Sequence, residues 1–234
     1  MKQPRQNLII FFHGFPNRPS IWDDLITALA TPYLSIKFDC NAVLAEIDTP
    51  VSHEWNALDF YIVINKSLLN AYPDLEQYDV TLVGHDIGCF IAQFYAEHSS
   101  WYIFLLQSKA FARFITKLLS NKILTAHYRI SGLVGDTSKR IAENSTFQAI
   151  DYYKILLNIS KRRAKEATAK IGIPAHLIHS KRDLFVAAND QNAFKEFYAI
   201  NPSESLIDAG HWSIVSHARE ISEIIVCKLN EWRL

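Results

Sequence analysis

One run constrains this chain more than any other: Val80-Thr-Leu-Val-Gly-His-Asp-Ile-Gly88-Cys. Its short apolar start, Val80–Val83, reads as a buried strand, and Ile87–Ala96 carries the apolar spacing of a helix. Between them Asp86 is flanked by Gly84 and Gly88, the pattern of a tight, strained strand-to-helix elbow. The glycines relieve crowding there, and the central side chain is thrust out above the sheet at a helix N-terminus. An elbow of this kind ordinarily carries Ser activated by His. An Asp is already ionised at neutral pH. Its attack on a carbonyl would give only a labile anhydride, whereas attack on a strained or activated saturated carbon gives a stable ester. The elbow therefore points to opening of C–O or C–halogen bonds.

Asp in a Gly-rich turn is also a common turn-former or helix cap, so the rest of the chain has to decide. Other short apolar runs read as strands: Leu8–Phe12, Leu34–Asp39, Tyr102–Leu106, Ala175–His179 and Ser205–Ile207. They alternate with helical patterns, the signature of a mostly parallel sheet with helices on both faces. Ser20–Ala30 is one such helix, with Ser20 and Asp23 spaced as a capping box and Trp22, Leu25, Ile26 and Leu29 as its buried stripe. A second spans about 52–71 and stops before Pro73. The last, Arg219–Trp232, buries Ile221, Ile224, Ile225 and Leu229. The alternation breaks between Ser108 and Lys170, where helix formers dominate. The expected domains are a core of 1–107 and 171–234 with a helical cap, 108–170, over the C-terminal sheet edge where ligands bind. The Lys161-Arg-Arg cluster reads as a solvated helix face.

Composition excludes several classes. The chain has 234 residues, 24 Lys plus Arg and 24 Asp plus Glu, so it lacks the basic footprint of a nucleic-acid binder. No apolar run approaches a membrane span. Cys40, Cys89 and Cys227 have no metal-ligand spacing, and reduced thiols in a cytoplasmic protein are expected. Four of the seven glycines, Gly14, Gly84, Gly88 and Gly210, fall in the candidate site segments.

An ester formed on Asp86 needs a base to activate water, and the base needs a carboxylate to orient it. The order nucleophile, acid, histidine is met by Asp183, in the turn after Ala175–His179, and His211, in the Gly-loosened loop Asp208-Ala-Gly-His-Trp212. Asp190 and Asp208 are rival acids, one inside a helical stretch and one at a strand end. His13-Gly-Phe-Pro16 follows the first strand and lies opposite the elbow. The backbone N–H groups of Phe15 and Ile87 are the expected oxyanion hole.

Taken together these residues resemble the α/β-hydrolase superfamily, specifically its Asp-nucleophile branch of epoxide hydrolases and dehalogenases. The resemblance runs through His13-Gly-Phe-Pro16, Gly84-His-Asp-Ile-Gly88, the Asp183 turn and Gly210-His-Trp212, the last leaning towards epoxide hydrolases. It implies an α/β-hydrolase fold and a small-molecule epoxide substrate opened to a diol through an Asp86 ester, with no metal or organic cofactor. In the cap, Tyr152-Tyr153-Lys resembles the segment whose second aromatic is the tyrosine that polarises the epoxide oxygen, which implies that role for Tyr153, with Tyr128 as its partner. The alternatives are a dehalogenase acting on a neutral halogenated compound, or a catalytically silent scaffold binding a small ligand. Two departures bear on them. Haloalkane dehalogenases follow the nucleophile with Trp, and here stands Ile87; fluoroacetate dehalogenases place arginines just after it, and Ile87–Gln93 has none. The family's Gly-rich turn after its Leu34–Asp39 strand is replaced by Cys40-Asn-Ala-Val-Leu-Ala-Glu46, and its N-terminal hairpin is expected to be absent.

Overall fold

A computed structural model of the protein describes residues 5–29, 33–47, 54–96, 102–106, 151–152, 155–156, 159, 170–183, 195 and 197–232. Six strands form one sheet: β1 (Gln6–Phe12), β2 (Leu34–Phe38), β3 (Tyr78–His85), β4 (Tyr102–Leu106), β5 (Ala175–Ser180) and β6 (Ser203–Ile207). Their order is β2-β1-β3-β4-β5-β6, and every pair is parallel. Among the described residues the helices with full bounds are α1 (Asp23–Leu29), α2 (Cys40–Ala45), α3 (Ala57–Ala71), α4 (Gly88–Ala96), α5 (Ser213–Ser216) and α6 (Ala218–Glu231). This parallel sheet flanked by helices is the architecture expected from the alternation.

Topology follows from the handedness of crossovers. From β1 the chain steps outward to β2, then reverses across the sheet to β3 and β4. Right-handed connections in opposite directions put their helices on opposite faces. Accordingly α1 packs with α6 and α5, whereas α3 packs with α4. The reversal makes the gap between β1 and β3 a topological switch point, the place where such sheets bind ligands.

Burial accounts for the sequence of the central strands. Leu8 to Phe12 of β1 are all buried, because helices cover both faces, and the run is continuously apolar rather than alternating. Every residue of α4 is buried, and its polar Gln93 donates to Tyr198 Oη at 3.2 Å. At the sheet edge β2 is less protected, with Leu34 39% exposed. Lys37 on that strand pairs with Asp23 at 2.6 Å, a charge of the kind that discourages pairing with another edge.

Two local expectations are revised. The helix after β1 starts as a 3₁₀ turn, Pro19–Trp22, with no side-chain cap; Asp23 spends its carboxylate on Lys37 instead of on Ser20. The second helix begins at Ala57, where Asn56 and Asp59 form a reciprocal capping box. The segment standing in place of the family's Gly-rich turn after β2 folds as α2, whose N-terminus Asp39 caps by accepting a hydrogen bond from the Ala42 N–H. The cap expected at 108–170 lies almost wholly outside the described residues. Of the part within them, Tyr152 stacks edge-on against Trp55 at 5.3 Å and donates its hydroxyl to the Ile47 carbonyl. Among the described residues no helix is long and apolar enough to cross a membrane.

Candidate active site

Asp86 immediately follows β3, buried, at φ = +55°, the one non-glycine among the described residues with positive φ. That left-handed conformation costs a non-Gly residue energy and is characteristic of the strained elbow. Its flanks explain why the neighbours are glycines. A Cβ on Gly88 would overlap the Phe12 carbonyl oxygen, and one on Gly84 would stand 2.7 Å from Cys89 Cα. Strand, turn and helix are thus in backbone contact.

Sheet register supplies the second piece. Phe12 pairs with Gly84, so the loops leaving β1 and β3 emerge side by side at the switch point. Gly14 is pressed onto the candidate nucleophile: a Cβ there would lie 2.5 Å from both Cβ and Oδ2 of Asp86. Phe15, next in that loop, is buried, and its peptide bond to Pro16 is cis. His13 holds the loop's base. Its Nδ1–H donates to the Gly14 carbonyl at 2.8 Å, and its Nε2 accepts from the Cys40 N–H at 3.2 Å. Ile87 follows Asp86 directly and is fully buried at the positive end of α4.

The third piece comes from β5 and β6, whose loops are zipped together. Lys181 N–H donates to Ile207 O and Arg182 N–H to Ala209 O, both at 2.9 Å. This pairing brings Asp183 to His211: His211 Nδ1 lies 3.0 Å from Asp183 Oδ2, both side chains buried. Because a carboxylate only accepts, Nδ1 carries the hydrogen and Nε2 is left as the basic nitrogen. The rival Asp208 is exposed and bound to Arg182, its Oδ1 3.2 Å from Nε; Asp190 lies outside the described residues. So do Tyr128 and Tyr153. The structure therefore brings together Asp183 and His211, and separately Asp86, Gly14 and the Phe15 loop.

A further residue links the two groups, and sequence reasoning missed it. His85, the last residue of β3, sends its Nε2–H to the backbone carbonyl of His211 at 3.0 Å. Its ring lies 4.9 Å from the His211 ring, and the Trp22 ring stands at right angles to it at 6.2 Å. Burial, with His211 adding to it, pushes His85 down to about 3, so it is neutral at any ordinary pH. The only signal in the sequence was its position beside Asp86. Trp22 and Trp212 are core residues, each almost completely buried. Among the described residues no group of three or more His, Cys, Asp or Glu side chains is placed to hold a metal ion.

The chain belongs to the alpha/beta hydrolase family, whose model matches residues 9–224. Similar solved structures include MenH from S. aureus, 17% identical with a TM-score of 0.70, covering 99% of this chain and 96% of that one. The enol-lactonase from Burkholderia xenovorans LB400 is 14% identical, TM-score 0.69, with 98% and 94% covered. A mutant of an epoxide hydrolase from Bacillus megaterium, complexed with its diol product, is 17% identical, TM-score 0.65, with 98% and 95% covered. At these identities the likeness is one of fold. No curated protein matches the chain by sequence.

Proposed function

We propose that this hydrolase opens a small-molecule epoxide to a diol through a covalent ester on Asp86. The observation that carries the proposal is chemical: the residue in the positive-φ elbow, with the Gly14 loop packed against it, is a carboxylate and not a serine. Neighbours of the same fold are named for different reactions, an enol-lactonase and an epoxide hydrolase, so the fold does not choose among them. The carboxylate at the elbow supports the epoxide reading.

In the first step an Asp86 oxygen attacks the less hindered epoxide carbon and the C–O bond breaks. Tyr153, with Tyr128, protonates the departing alkoxide; a phenol's ordinary pKa near 10 keeps it protonated until then. In the second step His211 Nε2, oriented by Asp183, takes a proton from water. The hydroxide attacks the carbonyl carbon of the ester, and the N–H groups of Phe15 and Ile87 hold the oxyanion. Collapse releases the diol and returns Asp86 as a carboxylate containing one oxygen from water. The two water protons end on the leaving alkoxide and the tyrosinate. Segment 108–170 is the cap that supplies both tyrosines and covers the site. Ile87, in place of a halide-holding Trp, favours the epoxide over a halogenated substrate.

A single turnover in water labelled with heavy oxygen tests the mechanism, using enzyme in excess over styrene oxide. The first diol is expected unlabelled and the Asp86 peptide to carry one heavy oxygen. Label in the diol with none in Asp86 would mean that water attacks the epoxide directly.

A further inference from the structure

We infer that His85 is a positioning residue for the hydrolytic half of the reaction: its Nε2–H fixes the backbone of His211 and thereby aims the base at the Asp86 ester. The inference rests on the reading of Asp86 as nucleophile and His211 as base, and goes beyond it by separating what the two steps require.

The geometry is specific. His211 is held at two points, by Asp183 at ring Nδ1 and by His85 at its own carbonyl, each at 3.0 Å. The first bond sets the tautomer and allows the ring to pivot about its side-chain torsions. The second fixes the backbone from which those torsions start. The loop carrying His211 is tied to β5 through Lys181 and Arg182, but β5 lies two strands away from β3, with β4 between them. The bond from His85 ties the loop to the strand that presents Asp86, so base and nucleophile share one reference frame.

Composition of the contact argues that the bond, and not packing alone, is why a histidine stands here. The site is apolar enough for Trp22 to lie edge-on against the ring, and an aromatic hydrocarbon would fill it. Histidine instead leaves Nδ1 buried with no hydrogen-bond partner among the described residues. A buried acceptor without a partner is costly, and the gain set against it is the one donor on Nε2. Burial keeps His85 neutral, so it offers a fixed donor and places no competing charge beside His211.

Ester formation needs Asp86 and an acid on the epoxide oxygen; it does not use His211. Ester hydrolysis does. Removing the His85 donor should therefore slow the second step selectively, on the order of 100-fold for a base displaced by about 1 Å. A residue that merely supports the fold would slow both steps together.

The experiment follows both steps by rapid quench and intact-protein mass spectrometry, with styrene oxide as probe and 1-bromobutane if only a halide reacts. His85→Leu and His85→Asn are expected to accumulate the Asp86 ester, with formation near the parent rate. His85→Gln, whose longer side chain carries its amide N–H to about the position of Nε2, is expected to restore hydrolysis. Should His85→Leu fail to fold, the Asn and Gln pair decides alone. Equal slowing of both steps, or a Gln variant no better than Asn, overturns the inference. His211→Ala is the control. If it traps the ester and the His85 variants do not, only the role of His85 is wrong. If it traps nothing from either probe, the Asp86-ester reading fails and this inference falls with it.

Discussion

Gly14→Ala perturbs the site by a single methyl group whose consequence is set by distance. The added Cβ would stand 2.5 Å from Asp86 Cβ, 2.5 Å from Oδ2 and 2.9 Å from Cγ. Favourable contact between carbons begins at about 3.5 Å, so about 1 Å of displacement is required. None of the three atoms is the end of a long flexible chain, and Asp86 is gripped on either side by Gly84 and Gly88 in backbone contact. The strain therefore moves the carboxylate or lifts the loop bearing Phe15. A reacting group misplaced by about 1 Å costs on the order of 10² in rate, and overpacking a tight site costs about 1–3 kcal/mol in stability. For a domain of this size each kcal/mol lowers Tm by about 2–4 °C, so the fold should survive while ester formation falls about 100-fold. Stopped-flow or quench measurement of the first step, beside a melting curve, reads both quantities. Ester formation at the parent rate in a Gly14→Ala protein would refute the claim that this loop is seated on the nucleophile.

Other expectations are independent of that one. Asp183→Asn should slow ester hydrolysis by at least about 100-fold through a misoriented His211. Asp208→Asn, at the exposed partner of Arg182, should leave turnover unchanged and cost at most about 1 kcal/mol; kinetics of the two variants side by side separate the acids, and equal losses would contradict the assignment. Stability should also depend on acid. Burial lowers His85 to about 3, and burial with nearby Lys228 lowers His176, set between the Ser203 and Ser205 hydroxyls, to about 4. The unfolded chain then binds protons first as pH falls below about 6.5. Stability is accordingly full above that pH and declines towards the folded values. Urea midpoints between pH 7 and 4 should fall more steeply in the parent than in a His85→Gln, His176→Gln double variant, and parallel slopes would exclude these two as the cause. Gly88→Ala, whose methyl would overlap the Phe12 carbonyl, should fail to fold or melt far earlier, as a thermal scan would show.

Much of this architecture could be read from the chain because the information is local. A parallel strand buried on both faces must be apolar along its length, so Leu8–Phe12 and Val80–Val83 mark β1 and β3, and Tyr102–Leu106 coincides with β4. The elbow was legible for the same reason: two glycines around one polar residue at a strand end have few structural uses. Asp183 and His211 were legible through chain order together with loop position, and the structure joins them by one hydrogen bond. Where reading failed, a tertiary contact had overridden a local signal. Asp23 had the spacing to cap the first helix, yet Lys37 on a neighbouring strand takes its carboxylate. The helix Cys40–Ala45 is too short to show an apolar period, and its start is set by the Asp39 cap, a residue equally at home in a turn. His85 could not be singled out among nine histidines, since its partner is a backbone carbonyl 126 residues away. Tyr128 and Tyr153 rest on the sequence resemblance.

On the proposed mechanism Asp86 forms a covalent ester with an electrophilic carbon and His211 is needed only to hydrolyse it. Intact-protein mass spectrometry of His211→Ala after incubation with a panel of epoxides and haloalkanes tests this most directly. The expected result is a gain equal to the whole epoxide, localised to the peptide containing Asp86 and absent from the Asp86→Asn, His211→Ala double variant. A gain equal to the substrate less hydrogen halide, seen only with haloalkanes, would make the enzyme a dehalogenase. No adduct from any compound, in a protein shown to be folded, would contradict the covalent mechanism.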